Sequence, residues 1–524
     1  MKDIVILGGG SAGWMSAAYF YEKCGFNVTV IDNIKHPRLE LSASTTPYLK
    51  RFFKDIGIEN ESEWMPACKA TYKIGVLYED WHHKGSKWWN SFEADEFYHL
   101  YWNKQRTEED LPVEDFFKAR ITSSHVGLDD LPKFIMNEKG EMGYDYSPIK
   151  SYGGHPEPWA YHIDTGCFNT FLRERYENKI TFLTDEISEI RTSDKGIDAL
   201  VTPEGKIITA DLFIDCSGFK AALIEEVNPE GRIPMKPYLT HDKAIVVEVP
   251  YKDADKEMKT RTLTKAMSSG WMWNIALYDR MVNGYVYTSD YISDEDAEKE
   301  MLEVTAEMFG EDRVQAEPWI IDIRTGHHAR PWYKNVLALG VSAGFVEPME
   351  ATLLMITQFC LVNAKEVFAG KMDVEKFNDK YEYTLMDTLD WVSTQYYLTD
   401  RDDSEFWRFK ARNKTQIRPR MVEWLESCKK TMLPPEDDIL FYPSCWYAKL
   451  VGSEEFPEGD GFDDTEGETL PSYSNSNFKP QNKFKYKEMD ELNARMQMDK
   501  KREFDPDTLL SHKEYLDRFI YNVN

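Results

Sequence analysis

Three glycines carry the plainest chemical instruction in this chain. Gly8, Gly10 and Gly13 stand in G-x-G-x-x-G spacing after the apolar run Ile4 to Leu7. Asp32 closes a second run, Asn27 to Ile31, about twenty residues past the glycines. This is the pattern of a dinucleotide site. Gly8 permits a tight turn, Gly10 lets the backbone approach a pyrophosphate, and Gly13 lets the helix pack on the strand. Ala12 to Lys23 can form that helix, whose N–H groups and partial positive charge suit phosphate. Asp32 can accept from both ribose hydroxyls, which favours an unphosphorylated ribose. A glycine turn that only closes a strand–helix–strand unit is the bland alternative, but here strand, helix, strand and acid all fall in place.

Other chemically able residues are ambiguous on pattern alone. Lys73 lies in an alternating run, ACKATYKIGVLYEDWHH, and reads there as a strand-end lysine in water. Glu350 sits near a helix start, where a carboxylate favours the dipole, and Glu347 competes with it. Trp271 and Trp273 share one face of a strand, a placement commoner in cores than in sites. Arg324 and Arg330 read as structural. No His, Cys or carboxylate spacing completes a metal site.

The elements that must hold these residues follow from periodicity. A loop follows Asp32; within 41–58, Ser42 to Thr46 is small and hydroxyl-rich, and a helix starts at Pro47 and ends at Gly57. Residues 67–83 read as one strand, and 84–154 as an irregular aromatic insertion. A helix after Asp164 leads to three or four strands and the buried run Leu212 to Asp215, ending in the turn Cys216-Ser217-Gly218. Residues 238–292 are strand-like, 294–310 helical. NVLALGVSAGFVEPMEATLLMITQFCLVNAKEVF reads as a strand, a Gly340/Gly344 turn and a long helix entered after Pro348, its N-terminus aimed at the cofactor. Residues 376–430 are helical. Residues 453–469 hold eight acidic residues and no basic one, as a linker would. Short helices near 487–502 and 508–520 are expected to pack on this subunit or on a neighbour in a homo-oligomer.

Bulk properties narrow the class. A 524-residue chain exceeds most single domains. A formal charge of −28 leaves no basic surplus for nucleic acid or anionic membrane. The seven cysteines are scattered without C-x-x-C, so free thiols in a cytoplasmic protein are expected. The N-terminal apolar run enters the glycine turn at once, which makes it a strand and not a signal peptide, and no run approaches a membrane helix in length. Fifteen tryptophans leave rings enough for a pocket wall as well as a core.

Three landmarks, GGGSAGW (8–14), ADLFIDCSGF (210–219) and NVLALGVSAGFVEPMEAT (335–352), together with Gly270-Trp271-Met272-Trp273-Asn274-Ile275-Ala276, resemble flavin-dependent halogenases of the tryptophan-halogenase type. The last of these motifs matches the family's G-W-x-W-x-I-P except at Ala276. YYLTDRDDSEFW (396–407) resembles a later segment of the family. In general style the chain looks similar to virus-borne members with broad aromatic scope. The resemblance runs to about residue 450. It implies an α/β, glutathione-reductase-like FAD-binding fold with a mixed-sheet substrate region and a helical C-terminal part. Residues 1–45, 155–230 and 320–375 would form the FAD module, 46–154 and 231–319 the substrate-facing insertions, 376–450 a helical cap, and 451–524 the acidic linker and last helices.

The resemblance also assigns roles. FADH2 from a separate flavin reductase, with O2, would oxidise a halide to hypohalous acid, which travels to a small aromatic substrate. Lys73 would guide the acid as catalytic lysine, and Glu350 would be the catalytic glutamate. Amides of Thr352 and Leu353 would hold the halide, Leu353 standing where the family has glycine. Gly340 and Gly344 would join Gly8, Gly10, Ser11, Ala12, Gly13 and Asp32 around FAD. Trp271 and Trp273 would wall the tunnel, and His99 and Tyr101 would hold the substrate ring. The strap that links flavin and substrate sites in the family reads Ser42-Ala43-Ser44-Thr45-Thr46-Pro47 here, with Ala43 in place of glutamate. A flavin monooxygenase that hydroxylates directly and a non-catalytic flavin scaffold are the alternatives.

Overall fold

The computed structural model describes residues 2–33, 42–73, 75–91, 159–313, 318–431 and 512–522, with scattered residues between 440 and 453. His99, Tyr101, nearly all of the acidic stretch and the expected helix near 487–502 lie outside the described residues.

A six-stranded sheet forms the nucleotide layer. Its spatial order is Trp332–Tyr333, Val336–Ala338, Leu212–Asp215, Asp3–Leu7, Asn27–Ile31, Thr181–Leu183. All pairs are parallel except the first. Parallel strands are covered on both faces, which is why they read as continuous apolar runs. Ile4, Val5, Ile6, Phe213 and Ile214 are accordingly buried. The Ser11–Tyr19 helix lies against the sheet, flanked by the Thr165–Tyr176 and Thr352–Phe368 helices. Met349–Phe368 is long and apolar enough to cross a membrane by composition, contrary to expectation from the sequence. Here it packs against the Ser11–Tyr19 and Val374–Tyr397 helices, and its apolar surface serves that packing.

A seven-stranded sheet forms the second layer, in the order Trp319–Asp322, Lys243–Pro250, Arg280–Tyr287, Gly270–Ala276, Arg261–Ala266, Gly75–Glu79, Lys87–Ser91. A three-stranded sheet bridges the layers: Ser42–Ser44, Ala160–Asp164, Thr71–Lys73. The run 67–83 is two strands in two different sheets: Tyr72 pairs with Tyr161, whereas Gly75 pairs with Arg261. A period-2 pattern reports which face a residue takes, and both strands keep the alternation, so the change of partner leaves no trace in it. Ser42–Ser44, within the small, hydroxyl-rich stretch, is a strand because Ala160–Asp164 offers it a paired edge. The 181–215 region holds five strands where three or four were expected.

Candidate active site

The glycine turn is built as its spacing requires. Gly8 has φ +108°, and a Cβ there would lie 2.3 Å from the Cys216 carbonyl oxygen. At Gly13 a Cβ would come within 1.9 Å of the Gly8 carbonyl oxygen, so glycine is what lets helix and strand approach. A Cβ at Gly10, in contrast, would meet nothing within 4 Å. That side of the turn is open, and no side chain caps the Ser11–Tyr19 helix. The Ser11 hydroxyl donates to Asn169 Oδ1 at 2.8 Å. Asp32 is buried, and its Oδ1 accepts from the Gly9 N–H at 3.0 Å.

One cavity of about 510 Å³ runs from this turn to the bridging sheet. Gly8, Gly10, Ser11, Ala12, Asp32 and Gly340 line its nucleotide end. Lys73, Trp271, Trp273, Glu350, Thr352 and Leu353 line the rest. The structure thus gathers most of the candidates. Gly340 has φ +62°, and a Cβ there would lie 2.6 Å from Ala12 Cβ. Gly13 lies behind the wall, in its packing role. Gly344 is also off the wall; the lack of a Cβ there makes room for the Tyr381 hydroxyl.

Lys73 is not a solvated strand end. It is 1% exposed. It ends its strand where the chain leaves one sheet for another, and its Nζ donates to the Thr45 carbonyl at 3.2 Å. Burial pushes its ammonium down to about 8, with Glu350 opposing the shift.

Glu350 is buried as well. It is not part of the helix: the helix begins at Thr352, and Glu350 and Ala351 take left-handed backbone, φ 61° and 58°. Non-glycine residues adopt this conformation at a cost. Here it swings the carboxylate off the helix axis into a cage, where Oε1 accepts from the Tyr78 hydroxyl and from Asn90 Nδ2 at 3.0 Å. Burial and the neighbouring carboxylate push the Tyr78 phenol well up, so it stays a donor. Leu353 is helical, so its side chain meets no backbone conflict. The first N–H groups of this 17-residue helix lack carbonyl partners within it, as at any helix start.

Trp271 and Trp273 stand 6.0 Å apart, centroid to centroid. Trp273 lies flat over Gly284, where a Cβ would come within 1.9 Å of its ring. Glu347, the rival carboxylate, also faces the cavity but has its own partners: the Tyr396 hydroxyl at 2.8 Å and His241 Nδ1 at 3.1 Å.

Tyr78, Asn90 and the Thr45 carbonyl escaped the sequence reading. Alternation along its strand puts Tyr78 on the same face as Val76, which lines the cavity, but that pattern does not mark it as a partner of Glu350. Nothing in the local pattern marks Asn90.

Comparison with known proteins identifies the family. The family model described as Tryptophan halogenase matches residues 3–461. Tryptophan 7-halogenase KtzQ of Kutzneria sp. (strain 744) is 32% identical over 425 residues, 78% of each chain. The crystal structure of tryptophan 6-halogenase SttH from Streptomyces toxytricini superposes with TM-score 0.77 at 25% identity, covering 98% of this chain and 99% of the other. Xcc4156, a flavin-dependent halogenase from Xanthomonas campestris, superposes with TM-score 0.76 at 23% identity, covering 99% and 98%.

Proposed function

The chain belongs to the tryptophan halogenase family, enzymes that use a flavin, and we propose that it halogenates a small aromatic or heteroaromatic compound with hypohalous acid guided by Lys73. The observation that carries this is the single cavity shared by the glycine turn and a buried lysine–glutamate pair. The fold is of the glutathione-reductase-like kind, with residues 1–45, 155–230 and 320–375 as the FAD module. The described residues fit FAD: the open side of Gly10 and the uncapped helix suit the pyrophosphate, and Asp32 suits the ribose. Bound as FADH2 from a separate reductase, the flavin supplies, with O2, the oxidising equivalents that turn halide into hypohalous acid.

The protein does the rest by placement. The Thr352 and Leu353 amides hold the halide at the start of their helix. Trp271 and Trp273 wall the route and keep the arene away from the flavin. Lys73, as an ammonium, donates a hydrogen bond to the acid and fixes which ring carbon meets the halogen. Glu350, held by Tyr78 and Asn90, takes the proton that the ring loses.

The test is a screen of arenes with chloride, bromide and iodide, FADH2 supplied, and products read by mass spectrometry. Lys73→Ala and Glu350→Gln should each lose about 10²–10⁴ in turnover, with flavin binding and melting little changed. A hydroxylated product that needs no halide, or normal halogenation by Lys73→Ala, would overturn the proposal.

A further inference from the structure

The strand that carries Lys73 has three residues and lies at the edge of its sheet. In the antiparallel pairing Thr71↔His162, Tyr72↔Tyr161, Lys73↔Ala160, successive backbone groups point alternately to the partner and away. The Tyr72 N–H, one residue before the lysine, points away. It is met not by another strand but by a side chain: Tyr72 N donates to His512 Nε2 at 3.2 Å. His512 is buried, and its ring stands 6.1 Å from that of Tyr72.

The same C-terminal segment grips the approach to the strand at further points. The Tyr521 hydroxyl donates to the carbonyls of Met65, at 3.2 Å, and Ala70, at 3.0 Å. The Tyr521 ring stacks on Tyr278 at 3.5 Å, and Tyr278 donates its hydroxyl to Asp517 at 2.6 Å. The Tyr278 N–H in turn donates to the Lys69 carbonyl at 3.0 Å.

We propose that His512 is a positioning residue for Lys73, and that the 512–522 segment is the clamp that holds a short edge strand still enough to aim its lysine. The inference rests on the reading of Lys73 given above. The strand's backbone is paired on one side only; side-chain bonds from Thr71 Oγ1 to the Ala276 carbonyl at 2.5 Å and from the Tyr72 hydroxyl to Glu61 at 2.6 Å hold it too, and His512 supplies the backbone partner on its open edge. Buried imidazole is kept neutral, its pKa pushed down to about 3, so Nε2 retains the lone pair that the Tyr72 N–H needs. Without that acceptor a buried N–H is left unmet, the strand shifts, and the amine loses its aim.

The experiment compares full-length His512→Leu, His512→Gln, Tyr521→Phe and Lys73→Ala with the parent. Each receives FADH2, O2, bromide, indole as the arene, and free methionine, whose sulfoxide counts hypobromous acid that escapes. For His512→Leu, bromoindole should fall about tenfold, a loss expected from a sub-ångström to ångström misplacement, while methionine sulfoxide rises and flavin oxidation is unchanged. His512→Gln, which restores an acceptor, should return to within about threefold of the parent. Tyr521→Phe, which keeps the ring stack, should shift the same two products in the same direction. A His512→Leu enzyme with parental bromoindole and sulfoxide, beside a Lys73→Ala enzyme that makes no bromoindole, sinks the clamp alone. Parental bromination by Lys73→Ala sinks the reading of the lysine instead.

Discussion

Burial removes the Lys73 ammonium from water and brings its pKa from 10.5 to about 8. Below that pH the group is a donor; above it the charge and one N–H are lost. If the ammonium guides the acid, arene halogenation should stay level up to about pH 8 and decline beyond, while flavin oxidation continues. A pH series that measures both quantities checks this. Halogenation that climbs through pH 8 would point to the free amine. At this scale the glycine turn was legible because its meaning is local: spacing alone fixes the turn and sets Asp32 beside it. The cage around Glu350 was not, since Tyr78 and Asn90 are 272 and 260 residues away in sequence. What makes them a site is the juxtaposition of the second sheet with one left-handed turn.

Among the elements, the strand Gly270–Ala276 shows how packing and site share residues. Trp273 can lie against the sheet because its cross-strand partner is Gly284. Replacing Gly284 with alanine puts a methyl group where the indole is and drives the ring toward the cavity. We expect a loss of about 1–3 kcal/mol in stability, the usual cost of overpacking, together with a narrower cavity and slower turnover. Thermal melting and steady-state halogenation measure the two effects. A variant as stable and as active as the parent would mean that the tryptophan has room to turn aside. The pattern G-W-x-W showed the shared face of the two rings; it could not show the glycine across from them. Elements with a strong period were the easy ones, such as the helix Asp294–Phe309, expected over 294–310. Short elements defined by their partners, such as Ser42–Ser44, were not, because three residues carry too little pattern to mark a strand.

At the scale of the whole molecule, the core is continuous from the nucleotide sheet through the bridging sheet to the helices beyond residue 374. The cysteines record this. Cys68, Cys216, Cys360 and Cys445 are buried, while Cys24 and Cys167 are partly exposed. Burial pushes the Cys68 thiol well up, and those of Cys24 and Cys167 to about 11. Native-state alkylation followed by peptide mass spectrometry should mark Cys24 and Cys167 first, and the four buried thiols only as the chain opens globally. Early labelling of Cys68 or Cys216 would reveal a local opening beside the glycine turn or the lysine strand. The continuity also has a mechanical consequence. The Thr45 carbonyl that receives the Lys73 ammonium belongs to the strap whose Ser42, Ala43 and Ser44 line the same cavity as the glycine turn. A single hydrogen bond therefore separates whatever leans on the strap from the amine. If flavin binding shifts that carbonyl, linkage requires the flavin and the lysine's proton to change each other's affinity by the same factor.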